Sequence, residues 1–295
     1  MLWGRGYEQI NPQLSVTTGG NSELLPETSN SYTLSLVYGP SWAKQKSFID
    51  DLTLELTYFR IDLGGAIQAL DAQVQLDRCV NTLDPVLCAG INRTGTGIIN
   101  GFDNQLSNIG GIVTDGLDLT LSYSAPRMPS GRYRVTSSSS YLLRFNESIP
   151  SANGFEDVTR AGKEVGDPER GFPRFKSSLI LDWFRGDLAA SLTFRYIHSL
   201  TESCRGFGDY PGTCSDPDAD DDSLSKNLLA PTVYGDAQVT WTPRTLDSRL
   251  DITAGVNNLF NQEPPFCYSC ALNGFDASTY DIPGVFGYLR AGYRM

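Results

Sequence analysis

The feature that most constrains this chain is a two-residue alternation of apolar and polar side chains in several short segments. Residues 52–58 read Leu-Thr-Leu-Glu-Leu-Thr-Tyr, and residues 117–123 read Leu-Asp-Leu-Thr-Leu-Ser-Tyr. The same alternation recurs at 188–196 and 250–256. Successive side chains of a β-strand point to opposite faces, so each segment predicts a strand with one apolar and one polar face.

Turn-forming Gly, Pro, Asn and Asp residues bound these segments and divide the chain into strands. No segment has a convincing helical period. We predict nine strands, at 30–38, 51–62, 104–124, 131–145, 172–184, 187–199, 229–242, 248–258 and 284–294.

The connections between the predicted strands alternate in length. The short ones are 39–50, 125–130, 185–186 and 243–247. The long ones are 63–103, 146–171, 200–228 and 259–283. Short turns at one end and long loops at the other are typical of outer-membrane β-barrels, whose long loops are extracellular. A soluble β-sandwich has no reason to sort its loops in this way.

Composition agrees with a barrel. Hydrophobic residues make up 40% of the chain, and no apolar run is long enough for a transmembrane helix. A barrel crosses the membrane with alternating strands instead, and it needs aromatic girdles. The net charge is −11, so nucleic acid is not expected as a partner, because phosphate binding needs a basic surface.

The cysteines form three local pairs, and all of them lie in the long connections. A disulfide persists in an oxidising compartment such as the extracellular side. We therefore predict the disulfides Cys79–Cys88, Cys204–Cys214 and Cys267–Cys270.

The order of the strands also makes a prediction about the two ends of the chain. If the last strand ends in the periplasm, nine strands place residues 1–29 in an extracellular loop and residues 30–295 in the barrel. Single-chain bacterial barrels normally have an even strand number. The first residues also lack the basic and apolar regions of a signal peptide. We therefore expect further strands upstream, and the chain to be the C-terminal part of a longer barrel.

Four segments resemble the TonB-dependent outer-membrane receptors. Residues 20–29 read Gly-Asn-Ser-Glu-Leu-Leu-Pro-Glu-Thr-Ser, and residues 108–118 carry an Asn, Gly and Asp pattern similar to a strand of that family. Residues 256–265, Val-Asn-Asn-Leu-Phe-Asn-Gln-Glu-Pro-Pro, are similar to the segment before the last strand of the family. Residues 280–295 look like its closing strand, although Arg290 and Met295 replace the usual Gly and aromatic residue.

The resemblance implies an all-β fold, a partial transmembrane antiparallel up-and-down β-barrel, located in the cell outer membrane. It implies transport without catalysis, with uptake of a large extracellular substrate of the siderophore, cobalamin, haem or glycan class. Outer-membrane lipid would surround the barrel. TonB would act only through an N-terminal plug region that is not visible in this sequence. No cofactor is implied.

Candidate sites within the chain have simpler structural interpretations. The carboxylates Asp216, Asp218, Asp220 and Asp222 could hold a divalent cation, but they lack the Gly and distal Glu of an EF-hand loop, and a solvated acidic loop is the better interpretation. Cys267 and Cys270 form a C-x-x-C pattern without the βαβ context of a redox motif or the second pair of a zinc site. Aromatic residues near strand ends fit an interfacial girdle.

Two other functions remain open at the level of sequence. One is a stand-alone outer-membrane porin or adhesin built from short chains. The other is an outer-membrane hydrolase that uses His198, the single histidine. The adjacent Ser199 cannot form a dyad with it, because neighbouring strand residues point to opposite faces. We expect no catalytic and no cofactor-binding residues.

Overall fold

The computed structural model describes residues 14–68, 72, 75–76, 79–80, 83, 85–88, 90–108, 110–151, 154–166, 169–203, 226–246, 249–270 and 274–294. Strands dominate this part of the chain. In chain order they are β1 Val16–Gly19, β2 Thr28–Tyr38, β3 Asp51–Gly64, β4 Ile67–Gln68, β5 Ile91–Arg93, β6 Ile99–Gln105, β7 Ser107–Asn108, β8 Gly111–Ser124, β9 Arg132–Ser151, β10 Gly154–Thr159, β11 Glu164–Gly166, β12 Glu169–Gly171, β13 Phe175–Arg185, β14 Leu188–Ile197, β15 Leu200–Ser203, β16 Lys226–Leu229, β17 Thr232–Trp241, β18 Leu250–Asn257 and β19 Phe286–Tyr293.

Helical structure is a small part of the described residues. Residues 72, 75–76 and 79–80 are α-helical, and another α-helical turn spans Pro85–Cys88, so the predicted connection 63–103 contains helix that the sequence pattern did not indicate. Two 3-10 turns span Ala43–Gln45 and Arg244–Leu246. None of the helices in the described part of the chain has the length and apolar character needed to cross a membrane.

One large sheet contains all nine predicted strands. Its order is β19-β18-β17-β14-β13-β9-β8-β3-β2, and β10 pairs with the end of β9. Apart from that hairpin, each strand lies beside the previous and the next strand of the set, so the sheet is an antiparallel up-and-down meander. Its edge strands β2 and β19 are not paired with each other. The predicted fold class is confirmed.

The register gives the sheet two chemically different faces. One row across five strands is apolar: Val135, Leu181, Leu192, Ala237 and Val256. The next row, one residue along each strand, is largely polar: Arg134, Asp182, Ser191, Gln238 and Gly255. A one-residue shift of register would exchange these faces, so the alternation in the sequence fixes the register.

The apolar face remains exposed. Leu289 is 75% exposed, Val239 48% and Trp241 44%. Tyr133 pairs with Trp183 near the turns, and the Trp183 Nε1–H donates to the Ser130 carbonyl at 2.9 Å. Aromatic rings at the end of a broad apolar surface are typical of a membrane interface.

The structure corrects the extent of two predicted strands. The predicted strand 104–124 is divided into the end of β6, then β7 and then β8. The chain breaks at Gly110, which has a φ of 76°. The strand predicted at 131–145 continues to Ser151 as β9 and turns back as β10. The predicted long loops also contain short hairpins, β11–β12 and β15–β16.

The chain divides into two compact units. The first comprises residues 1–31, 61–113 and 146–159, and the second comprises 32–60, 114–145 and 160–295. In the first unit the side chain of Asn108 joins two other segments of the chain by hydrogen bonds. Its amide oxygen accepts from the Leu25 N–H at 2.8 Å, and its amide nitrogen donates to the Leu25 and Gly65 carbonyls at 2.8 Å. Two of the segments singled out in the sequence therefore contact each other.

Candidate functional site

In the second unit, three long connections pack together over one end of the sheet. They contribute β11–β12, β15–β16 and the segment between β18 and β19. Residues of two connections pack with Ile197 of β14 and Tyr234 of β17 in a buried cluster, whose other members are Leu200, Leu229, Cys267, Cys270 and Tyr280. We call the three connections and this interior the loop cluster.

Glu202 of β15 is the first polar centre of the loop cluster. Its side chain is only 2% exposed. One carboxylate oxygen accepts from the Asn227 amide at 2.6 Å and from the Tyr268 N–H at 2.8 Å. The other accepts from the Ser269 N–H at 2.8 Å and from the Ser269 hydroxyl at 2.5 Å. A buried carboxylate of β15 therefore holds the turn that the Cys267–Cys270 disulfide closes.

Asp276 is the second polar centre. It is fully buried, and it accepts from the Gly171 N–H at 2.9 Å and from the Ser278 N–H at 2.7 Å. The first of these bonds joins β12 to a segment 105 residues later in the chain. Burial by itself raises the pKa of Asp276. The hydrogen bonds from Thr279, Ser278 and Gly171 outweigh burial and leave the pKa below its usual value.

Glu164 faces Asp276 from β11. Its Oε1 accepts from the Arg170 N–H at 3.1 Å. Its Oε2 is buried, and no donor among the described residues reaches it. Burial and the adjacent Asp276 charge raise the pKa of Glu164 to about 8, with a smaller contribution from Glu202. A protonated Glu164 can donate to Asp276, which satisfies both groups, whereas an ionised Glu164 would leave two carboxylates in contact.

Tyr280 closes the interior beside these acids. Its hydroxyl is buried without a partner among the described residues. Burial raises its pKa, and the charges of Glu164 and Asp276 raise it further. The phenol therefore stays neutral.

Arg195 of β14 fastens the loop cluster to the polar face of the sheet. Its guanidinium donates to both carboxylate oxygens of Asp281, at 3.2 and 2.5 Å, and lies 3.3 Å from Asp236. It also stands over the Tyr234 ring, 5.1 Å from the centroid. A two-pronged guanidinium contact of this kind fixes orientation as well as position.

Asn258 shapes the start of the connection between β18 and β19. It has a φ of 51°, in the left-handed region that Asn tolerates better than most residues. Its side-chain amide donates to the carbonyls of Gln262 at 2.9 Å and Pro283 at 3.1 Å, and its oxygen accepts from the Gln262 N–H at 2.8 Å. The Asn-Asn pattern noticed in the sequence is thus a turn that brings both ends of the connection together.

The outer surface of the loop cluster is partly aromatic. Phe266 is 57% exposed and meets Tyr268 edge-on, with 4.8 Å between ring centroids. Both rings flank the turn that Glu202 holds. Since the carboxylates point inward and join the loops, these two rings contribute to the outer surface of the loop cluster instead.

The residues predicted from sequence are placed as follows. Disulfides join Cys79 to Cys88 and Cys267 to Cys270. Cys204, Cys214 and the carboxylates Asp216, Asp218, Asp220 and Asp222 lie outside the described residues. Within the described part of the chain, no group of three His, Cys, Asp or Glu side chains is arranged to hold a metal ion.

His198 is exposed at the end of β14. Its Nδ1 lies 3.0 Å from the Tyr196 hydroxyl, and the two rings are in contact. In the described residues the hydrogen-bonding partner of the His198 side chain is this tyrosine. No hydrogen bond joins the imidazole to a serine or a carboxylate of that part of the chain.

Sequence reasoning missed the residues that organise the loop cluster. Glu202, Asp276 and Glu164 are single carboxylates in polar stretches with no recurring spacing. Their partners are far away in sequence, and only the packing of three loops brings them together. Arg195 is the one residue of this network that the sequence pattern could indicate, because the alternation in residues 188–196 places it on the polar face of the sheet.

Solved structures with a similar fold include a receptor and two transporters. A ferric enterobactin receptor of Pseudomonas aeruginosa matches with a TM-score of 0.56 and 22% identity, over 94% of this chain and 32% of that one. The FrpB iron transporter of Neisseria meningitidis matches with a TM-score of 0.55 and 14% identity, over 94% and 32%. The outer membrane transporter YddB of Escherichia coli matches with a TM-score of 0.57 and 13% identity, over 95% and 34%.

These likenesses concern the fold, and the chain spans about one third of the length of each of these proteins. The search of curated proteins gives no match. A family model described as "TonB dependent receptor-like, beta-barrel" matches residues 2–259, which is most of the chain. With the meander sheet and its apolar outer face, this match shows that the chain belongs to the TonB-dependent receptor β-barrel family.

Proposed function

We propose that the protein acts in TonB-dependent uptake of a large extracellular substrate across the outer membrane. The observation that carries the proposal is the loop cluster. Three long connections are joined by buried side chains into one surface at a single end of the sheet. A receptor needs such a surface, because a large ligand must be held by several loops at once.

The cluster is also pre-organised. Glu202 and Asp276 satisfy backbone donors of neighbouring loops, so these loops are ordered before any ligand binds. Pre-organisation lowers the entropy that binding costs. The exposed ring of Phe266 and its neighbour Tyr268 give the surface apolar and aromatic contacts.

The substrate class is a large molecule such as a siderophore, cobalamin, haem or glycan. Ferric siderophores are the first class to test, since one of the similar folds is a ferric enterobactin receptor and another an iron transporter. The proposed partners are outer-membrane lipid around the apolar face and TonB on the periplasmic side.

A binding assay tests the proposal. The chain folded in detergent is titrated with representative ferric siderophores, cobalamin, haem and oligosaccharides, and tryptophan quenching is recorded. We expect one class to saturate, and Phe266→Ala to weaken its binding at least fivefold. The matched control is Phe286→Ala, another exposed aromatic residue, which lies in β19. Binding of no class, together with stable ion conductance in planar bilayers, would favour a porin instead.

Labelling in intact cells tests the orientation. Because Cys267 and Cys270 are buried, the label is directed to an exposed neighbour. Without reduction, a maleimide that cannot cross the outer membrane should react with the variant Glu263→Cys. Reaction only after the outer membrane has been permeabilised would place the loop cluster in the periplasm and contradict the proposal.

A further inference from the structure

A cavity of about 500 Å³ lies at the turn end of the sheet in the second unit. It is lined by residues of the turns after β8, β13 and β17 and by the adjoining strand ends. Five of its ten lining residues are arginines: Arg127, Arg132, Arg134, Arg185 and Arg244. The whole chain has 23 Lys and Arg among 295 residues and a net charge of −11. Such a concentration of positive charge in one small cavity therefore needs a physical reason.

The positive charge is only partly balanced by the protein itself. Arg244 pairs with Asp187 at 2.9 Å. None of the other four arginines makes an ion pair with a described residue. Asp182 lies opposite Arg134 in the register of β9 and β13, yet the two are not in ion-pair contact. All five arginines are exposed, so water and salt screen their mutual repulsion, but the space that they share still has a positive potential that attracts anions.

The backbone that carries the cavity is held in place. Met128 and Gly131 exchange two backbone hydrogen bonds of 3.0 Å, which closes the turn after β8. This turn is tied to β13 by the bond from Trp183 to Ser130. At Gly131, where φ is 129°, an added Cβ would lie 2.5 Å from the Trp183 Nε1. Of the arginine side chains, Arg134 lies 5.8 Å from the centroid of the Phe184 ring and Arg244 pairs with Asp187.

We propose that this arginine cavity binds a phosphate group, presented by a phospholipid headgroup or by a small phosphorylated solute. Guanidinium forks match the oxygens of a phosphate in two-pronged contacts. A phosphate can engage several arginines at once, whereas a single carboxylate is satisfied by one fork. The volume also suits a small ligand rather than a polypeptide, since small-molecule sites are usually about 300–1,000 Å³.

The cavity lies at the turn end of the sheet, at the same level as Tyr133, Trp183 and Trp241. Arg132 and Arg134 alternate with Tyr133 along β9, so they project from the polar face, opposite these rings, and a headgroup would reach the cavity around the turns. If these rings mark the membrane interface, which rests on the proposed outer-membrane location, headgroups lie at the depth of the turns. A soluble phosphate compound would reach the cavity from the aqueous side.

The first experiment uses pyrophosphate as the probe. The full chain in a zwitterionic detergent, in phosphate-free buffer, is titrated by calorimetry. We expect saturable binding that weakens at least tenfold in the double variant Arg132→Gln, Arg134→Gln, and that also weakens as NaCl is raised. The control is Arg290→Gln in β19, an exposed arginine outside the cavity, which should bind as the unmodified chain does.

The second experiment separates the two sources. The chain is equilibrated with mixed micelles that contain phosphatidylglycerol and a phosphate-free galactolipid, and retained lipid is counted by native mass spectrometry. Selective retention of phosphatidylglycerol that the double variant loses assigns the site to a headgroup. Pyrophosphate binding without lipid selectivity assigns it to a solute.

Three results would overturn the proposal. The first is the absence of both pyrophosphate binding and lipid selectivity, and the second is their survival in the double variant. The third is tighter binding of an acidic peptide such as deca-glutamate, which would point to a polypeptide partner. None of these results bears on substrate uptake, so the test is independent of the loop-cluster assays.

Discussion

Neutralising one buried carboxyl group should make the loop cluster insensitive to pH. Glu164 is 6% exposed and lies against the ionised Asp276, with Glu202 and the neutral Tyr280 as its other titratable neighbours. Its pKa is raised from 4.5 to about 8. When the loops open and water reaches the side chain, we expect the pKa to return towards 4.5.

The sign of the pH effect follows from these values. Below pH 4.5 the group is protonated in the closed and the open cluster, and its contribution to closure is complete. Between pH 4.5 and about 8 the closed cluster holds a proton that the open one has lost, so closure weakens as pH rises. Asp276 has the opposite sign: its pKa is lowered, so its contribution is present at neutral pH and is lost only in acid.

The pKa shift of Glu164 also limits the size of the pH effect on loop closure. Because one unit of pKa corresponds to about 1.4 kcal/mol, the shift sets a ceiling of roughly 5 kcal/mol on the loss of closure free energy. A small movement of the loops would admit water to the ionised carboxylate of Glu164 and lower its energy. We therefore expect the measured loss of closure free energy to be about 2 kcal/mol, which is below this ceiling. That corresponds to a loss of amide protection of roughly 30-fold between pH 5 and pH 8.5.

Hydrogen exchange with mass spectrometry measures this loss directly. The reporting amides are those of Arg170, Gly171 and Ser278, which donate to the two carboxyl groups. Rates are corrected for the intrinsic effect of pH on exchange. In Glu164→Gln the amide stays neutral and can donate to Asp276, so protection should be retained at pH 8.5. The control is Glu263→Gln, an exposed residue of the connection that carries Asp276, and it should follow the unmodified chain.

Two outcomes would refute this reasoning. Protection that does not change between pH 5 and pH 8.5 would show that Glu164 is not a buried acid. Protection that falls equally in Glu164→Gln would show that another group titrates.

Two further predictions concern the turn of the disulfide and the packing of the sheet. Glu202→Ala leaves the buried N–H groups of Tyr268 and Ser269 without an acceptor, which should destabilise the turn by about 1–3 kcal/mol for each group. Dithiothreitol should then reduce the Cys267–Cys270 disulfide at least tenfold faster. The reduction rate of Glu202→Gln should lie between those of the alanine variant and the unmodified chain. An alanine Cβ at Gly116 would lie 2.8 Å from the Tyr141 carbonyl oxygen, whereas at Gly287 the nearest atom is 4.0 Å away. Gly116→Ala should therefore cost about 1–3 kcal/mol in urea unfolding from lipid vesicles, and Gly287→Ala much less; equal costs would contradict the packing.

The strands could be predicted because their information is local. A two-residue period decides which side chains share a face, and turn formers mark where each strand ends. This is why segments such as 52–58 and 188–196 were placed correctly, together with the meander order. The strand prediction was incomplete at two places where backbone geometry, and not the apolar–polar pattern, decides where a strand ends. The break at Gly110 and the extension of β9 into a hairpin with β10 left no clear mark in the pattern.

The loop cluster shows what the sequence could not predict. Glu202 could be read as one more polar loop residue, because nothing within its own segment reveals that it will be buried. Its role arises only when residues 65 to 67 positions away fold over it. The same holds for Asp276 and its contact with Gly171, and for the turns that gather arginines around one cavity.

By itself, the sequence determined the all-β class, the two faces of each strand and the family resemblance, since these depend on the order of neighbouring side chains. Tertiary structure alone decided which carboxylates are buried, which loops are joined and where positive charge gathers. The physical reason is that burial and electrostatic coupling depend on distances between residues remote in the chain, and those distances exist only after the strands have paired.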